Sequence, residues 1–477
     1  MRELYRVLKK GGWGIVQSPV LLDLVDTFED PSITTDEGRR RHFGQPDHVR
    51  VYAKADYIGR LSEAGFSVKC IGVDHLGEDV FKRAAITTKS VLYVVEKRQT
   101  VNVTRTYLPN LQRYHSYVES IFQGGWLTNY SRYVRELEER LAIYLGVKHV
   151  IVMANGTLAL QVAYKALGLT GEVITTPFTF IATSSSLAWE GLTPVFVDID
   201  QKTYNIDPGR IEEAITDNTS AIVAVHVFGN PCALEDIQQI ALRHGLKVIY
   251  DAAHSFGVGY EGRSVLGWGD VSTLSFHATK IFHTAEGGAV VTNDDCFEAR
   301  VRKMINFGIT GPESIVTLGI NAKMSELHAA IGLSMLDDMD NIICLRKSRY
   351  VKYINSLSDK IILQCHNPNV SYNYAYFPVV FETEALLLKV EKALKEKDIH
   401  PRRYFYPSLD TLYFLQNKEA ALSIPHAPSL VGGGALAISN SVSRRILCLP
   451  IYESLDINDQ ERIIETVNGV VRAFYGL

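Results

Sequence analysis

Ser275-Phe276-His277-Ala278-Thr279-Lys280 closes an apolar run that starts at Val271, and an earlier apolar run, Lys247 to Tyr250, ends on Asp251. Each run reads as a strand that delivers one ionisable residue at its carboxyl end. In open α/β sheets ligands gather beyond those ends. Working outward, further apolar runs at His149 to Met153, Glu172 to Thr175, Pro194 to Val197, Ala221 to Val225 and Ala289 to Thr292 alternate with amphipathic, helix-like stretches. That alternation is the pattern of an α/β domain with a mostly parallel sheet flanked by helices. A long helical stretch near Ser325 to Arg349 follows, and residues 350 to 477 mix short strands and helices as a smaller C-terminal α/β domain does. The expected division is a large domain over 106–335 and a small one over 336–477, preceded by a linker over 98–105 and a separate segment over 1–97.

The chain has 477 residues, 46% of them hydrophobic and 21% charged, with a net charge of -4. This composition describes a globular protein able to bury a sizeable site. It lacks the basic excess that a phosphate-backbone partner requires, so nucleic acid is not expected. Cys70, Cys232, Cys296, Cys344, Cys365 and Cys448 are scattered without a paired CxxC, so neither a metal site nor a disulfide framework is expected. No stretch approaches the ~18 apolar residues of a membrane span, and no leader-like apolar region opens the chain. A cytoplasmic location is expected.

A lysine amine becomes a nucleophile when its surroundings lower its pKa, and it then condenses with a carbonyl such as that of pyridoxal phosphate (PLP). Other segments supply what this cofactor requires. Asn155-Gly156-Thr157 follows a strand and opens a helix, so unbonded N–H groups and the positive helix end can hold a phosphate. Taken alone it reads as a capping turn. At Asp251 a buried carboxylate can keep a pyridine nitrogen protonated, although a lone strand-end Asp also reads as a helix cap. Phe180 can cover one face of the ring, as an aromatic that is otherwise ordinary core. Asn321, before the long helix, reads by itself as a turn residue.

The ordered set is more specific than its members, and with it residues from about 106 to 477 resemble the DegT/StrS family of nucleotide-sugar aminotransferases, PLP enzymes of fold type I. The runs that carry the resemblance are Gly125-Trp126-Leu127-Thr128-Asn129, Asn155 to Leu160, Tyr250 to Ser255, Ser275 to Lys280 with Glu286-Gly287-Gly288, and Gly319 to Glu326. The resemblance implies that Lys280 tethers the cofactor and acts as acid and base, and that Asp251 partners the pyridine nitrogen. It further implies that His254 contacts the ring, that Phe180 stacks on it, and that Gly156, Thr157 and Ser275 cradle the phosphate. Asn321 is similar to a residue that reaches the neighbouring subunit's phosphate, which implies a homodimer with shared sites. Arg402, Arg403 and Tyr404 fall in a loop that faces substrate in the family, and each arginine singly reads equally as a surface residue. The implied reaction moves an amino group from glutamate to a nucleotide-linked 4-keto-6-deoxy sugar, dTDP-linked by preference, giving a 4-amino-4,6-dideoxyhexose. A C3 ketone and a noncatalytic protein of the same fold remain the alternatives, while Lys280 argues against the family's sugar dehydratases, which carry histidine there. Tyr130 stands where the family commonly has glycine.

Residues 1–97 resemble the C-terminal portion of a class I S-adenosylmethionine methyltransferase, through Tyr5 to Trp13, Phe43 to Arg50 and a helix-strand-strand ending. Gly11, Gly12 and Gly14 precede a strand, whereas a cofactor loop follows one. The expectation is therefore a Rossmann-like partial remnant, inert or used for docking, that performs no methyl transfer. Calorimetry with S-adenosylmethionine is the check.

Overall fold

A computed structural model describes residues 1–97, 100–412, 415 and 436–477. The chain divides into two compact units, Met1–Val101 and Asn102–Leu477.

In the first unit the strands Trp13–Val16, Leu92–Lys97 and Phe66–Ile71 form a sheet whose last strand in sequence lies in the middle, antiparallel to both neighbours. The helix Lys54–Glu63 packs on it through Tyr57 and Leu61, which join Phe66, Tyr93 and Val95 in a small core. Residues 36–43 form the helix Asp36–Phe43. Its sequence is polar apart from Phe43, so no apolar stripe announces it. What makes it helical is capping: the Thr35 side chain accepts from Gly38 N–H, acidic residues fill the first turn, basic ones the last, and Gly44 ends it at φ 87°.

The second unit is built on a seven-stranded sheet: β1 (His149–Met153), β2 (Glu172–Thr175), β3 (Thr193–Phe196), β4 (Thr219–Val225), β5 (Lys247–Asp251), β6 (Val271–Ser275) and β7 (Gly288–Thr292). The spatial order is β3-β2-β4-β5-β6-β7-β1, and only β7 runs against the rest. The central strands are apolar almost throughout because helices cover both faces. Helices α1 (Arg132–Leu145) and α4 (Glu326–Leu336) bury Leu137, Leu141 and Leu333 on one side. On the other, α2 (Gly156–Leu167) buries Ala159, Leu160 and Ala163 against Val223, Ile249 and Val290. Helix α3 (Ala182–Trp189) follows β2.

The expected single helix near 325–349 is two, α4 and α5 (Met339–Ser356). The break falls at Asp337-Asp338, whose carboxylates are engaged by Arg113, Arg140 and the Tyr107 hydroxyl. Beyond α5 the strands Ile362–Leu363, Phe377–Val380 and Ile446–Leu449 form a small antiparallel sheet. Val103, within the expected linker, is buried in the larger unit and accepts from Ile451 N–H; Arg98 and Gln99 lie outside the described residues. Among the described residues no helix is long and apolar enough to cross a membrane, and no cluster of metal-ligating side chains occurs.

Candidate active site

At the carboxyl ends of β4, β5 and β6 a cavity of about 390 Å³ opens, lined by Gly156, Thr157, Phe180, Asp251, His254, Ser275, Lys280, Arg402 and Tyr404 among others. Nine of the eleven residues singled out in the sequence thus meet in one place. Asn321 and Arg403 do not. Asn321 is exposed and its backbone pairs with Asn306. Arg403 is turned away, ion-paired with Glu384 at 2.7 Å, bonded to the Arg444 carbonyl and laid over the Tyr406 ring.

The turn Asn155-Gly156-Thr157 caps α2: the Asn155 side chain accepts from Leu158 N–H at 2.9 Å, which leaves the preceding N–H groups without intrahelical partners. A Cβ at Gly156 would sit 2.9 Å from the Ser275 Cβ, and one at Gly288 would sit 2.5 Å from Asn155 and Gly156 backbone. Both glycines are therefore needed for the turn to nest against β6 and β7. Thr157 and Ser275 bring hydroxyls to the same corner.

Lys280 leaves β6 on a closed loop. Phe276 N–H donates to Gly287 O, Thr284 N–H to Phe276 O, and Lys280 N–H to His277 O. Burial lowers the Lys280 pKa from 10.5 to about 8, against the opposing pull of Asp251 and the Tyr404 hydroxyl. At pH 7 a lysine with a pKa of 8 is neutral roughly one time in ten, against about one in three thousand for an unperturbed amine. Burial likewise raises the Asp251 carboxyl, and the Thr183 hydroxyl at 2.8 Å, Ala253 N–H at 3.2 Å and the charge of Lys280 act to keep it ionised. Thr183 was not apparent in the sequence. It donates to the carboxylate and so must accept from Thr179, 2.9 Å away, giving a directed hydroxyl chain into Asp251.

His254 is buried and held neutral, its pKa well below the usual histidine value through desolvation. Tyr376, 4.5 Å from its ring centre, and Phe405, parallel to it at 5.9 Å, complete an aromatic wall that sequence reasoning missed. Both come from segments far along the chain. Phe180 is 57% exposed, an aromatic face open in a cavity rather than packed in core.

Comparison with known proteins gives this arrangement its place. The model of the DegT/DnrJ/EryC1/StrS aminotransferase family matches residues 111–468. The chain belongs to that family. The aminotransferase is 41% identical over 363 residues to the dTDP-4-amino-4,6-dideoxy-D-glucose transaminase of Escherichia coli, covering 75% of this chain and 95% of the relative. It is 34% identical over 330 residues to the UDP-2-acetamido-2-deoxy-3-oxo-D-glucuronate aminotransferase of Pseudomonas aeruginosa, covering 68% and 86%. Among solved structures, DesI with its TDP-sugar product superposes with a TM-score of 0.72 at 35% identity, covering 79% of this chain and 94% of that one.

Aminotransferases of this family depend on PLP, and the residues present fit it: a cradle only glycine permits, an open aromatic face, a buried carboxylate and a lysine of lowered pKa share one cavity. When bound, PLP supplies an electron sink for the charge left on a carbon that loses its proton. In the same cavity stand the Asp251 carboxylate and the Lys280 amine, and Tyr376 and Phe405 pack beside the His254 ring.

The lowered amine has a measurable consequence. Attachment of PLP to cofactor-free protein is expected to accelerate with pH through a midpoint near 8, followed by visible absorbance; a midpoint at 10 or above contradicts the buried amine. The sign for stability follows from proton binding. Between about pH 8 and 10.5 the unfolded chain holds a proton on Lys280 that the folded one has released, so this residue's penalty is full below 8 and is relieved as pH rises through that window.

Proposed function

We propose that the aminotransferase transfers an amino group from glutamate to a dTDP-linked 4-keto-6-deoxy sugar, yielding a 4-amino-4,6-dideoxyhexose. Lys280 is the tether and proton carrier, Asp251 the partner of the cofactor's ring nitrogen, and Gly156, Thr157 and Ser275 the phosphate cradle. Phe180 stacks on the ring, His254 contacts it, and Tyr404 with Arg402 faces the sugar nucleotide. The observation that carries this reading is the convergence of Lys280 and Asp251 in one cavity of a chain 41% identical to a transaminase named for that product. The test is spectroscopic: purified protein should be yellow, bleach with glutamate, and recover its colour with dTDP-4-keto-6-deoxyglucose. Bleaching without recovery by any 4-keto sugar, and recovery by a 3-keto sugar instead, refutes the C4 assignment. A protein that never bleaches with any amino donor is not the enzyme described.

A second copy of the chain is proposed to complete the site. Asn321 lies outside its own cavity beside an exposed apolar stretch, with Ile315 73%, Val316 57% and Leu318 78% accessible. Patches of this kind mark interfaces. Leu318→Asp is expected to convert a dimer into a monomer by light scattering and to weaken PLP retention; an unchanged mass rules out this face.

The division at 335/336 and a cytoplasmic location are part of the same reading. For residues 1–97 the methyltransferase-like reading is retained, supported by the helix Lys54–Glu63 followed by two antiparallel strands.

A further inference from the structure

We propose that Tyr372 and Asn373 are positioning residues that fix His254 as an Nε2–H donor facing the cofactor cavity. The inference starts from the His254 ring. Its Nδ1 lies 3.2 Å from Phe228 N–H and accepts from it, so that nitrogen carries no proton. In a neutral ring the proton is then on Nε2. The Phe228 amide points at the ring because Phe228 takes a left-handed conformation, φ 59°, and Gly229 continues it at φ 87°. A non-glycine residue at positive φ persists only where its surroundings hold it.

The holding comes from one short segment. The Tyr372 hydroxyl donates to Phe228 O at 2.6 Å. Asn373, fully buried, donates through Nδ2 to His254 O at 2.9 Å and Phe256 O at 3.0 Å, while its Oδ1 accepts from Ala375 N–H at 3.1 Å. Thus the residue that carries the ring and the residue that bonds Nδ1 each receive a hydrogen bond from neighbouring side chains. The fit is close: a Cβ at Gly229 would stand 2.9 Å from His254 O and 3.0 Å from Asn373 Oδ1. The same segment continues into Tyr376, whose ring packs on His254. Rotation of His254 would leave Phe228 N–H buried and unpaired, a cost this clamp makes unavoidable.

The inference rests on the proposed contact between His254 and the cofactor, and a double-mutant cycle separates the two claims. The measurements are the PLP dissociation constant and the visible absorbance maximum of the holoenzyme for wild type, Tyr372→Phe, His254→Ala and the double variant. Tyr372→Phe is expected to weaken PLP binding roughly tenfold in the wild-type background and by less than about twofold when His254 is already alanine, since a residue that acts through another has nothing left to act on. Its absorbance maximum should move toward that of His254→Ala. Asn373→Asp, which keeps one acceptor and replaces the double donor, should behave alike; if it does not fold, Tyr372→Phe, which removes one oxygen, carries the cycle alone. Equal losses in both backgrounds, or no loss in wild type, overturn the positioning role while leaving the cofactor contact intact. A His254→Ala protein with unchanged affinity and spectrum overturns both.

Discussion

Lys280→Ala is expected to lower kcat by roughly 10⁴-fold or more, because general acid and base catalysis alone contributes about 10² to 10⁴ and this substitution also removes the nucleophile. The two buried ionisable side chains of the cavity are poor substitutes: Asp251 is held by Thr183 and Ala253, and His254 has its Nδ1 occupied and is disfavoured by burial from taking a proton. The protein should still fold and still bind the cofactor, since the Gly156 cradle and the Phe180 face do not depend on the lysine. Steady-state turnover with glutamate and the keto sugar is the measurement. Activity within tenfold of wild type would remove Lys280 from the chemistry.

Asp251→Asn ranks second. Asparagine matches the shape of aspartate but carries no charge, and its single side-chain oxygen can receive only one of the Thr183 and Ala253 bonds, which go to different oxygens of the carboxylate. The expected loss in kcat is on the order of 10² to 10³, the scale of deleting one preorganised group that stabilises developing charge. A sign change accompanies it: without the carboxylate the Lys280 amine loses the charge that raises its pKa, so attachment of PLP should become half-maximal below pH 8. Loss of turnover with an unshifted midpoint would mean that the two side chains do not sense each other.

Much of this was legible in the sequence because the large sheet is buried on both faces and its strands read as apolar runs bounded by turns. All seven were found, with ends displaced by a residue or two, as at β4, which begins at Thr219 rather than Ala221. The helix Asp36–Phe43 escaped notice because capping and charge placement, not an apolar stripe, sustain it. Asp251, at the end of β5, and Lys280, on the loop that follows β6, were legible because apolar runs lead into them. Thr183 and Asn373 were not, since nothing local marks a threonine 68 positions from the carboxylate it serves or an asparagine 119 positions from the carbonyl it holds. Adjacent arginines could not be told apart by composition. Glu384 and the Arg444 carbonyl draw Arg403 away while Arg402 lies over Tyr404 at the cavity.

The central claim is that one amine holds the cofactor. Borohydride reduction of the yellow holoenzyme, digestion and mass spectrometry of the peptides test it directly. The account predicts a single phosphopyridoxyl group, on Lys280; a label on any other lysine, or none, would contradict it.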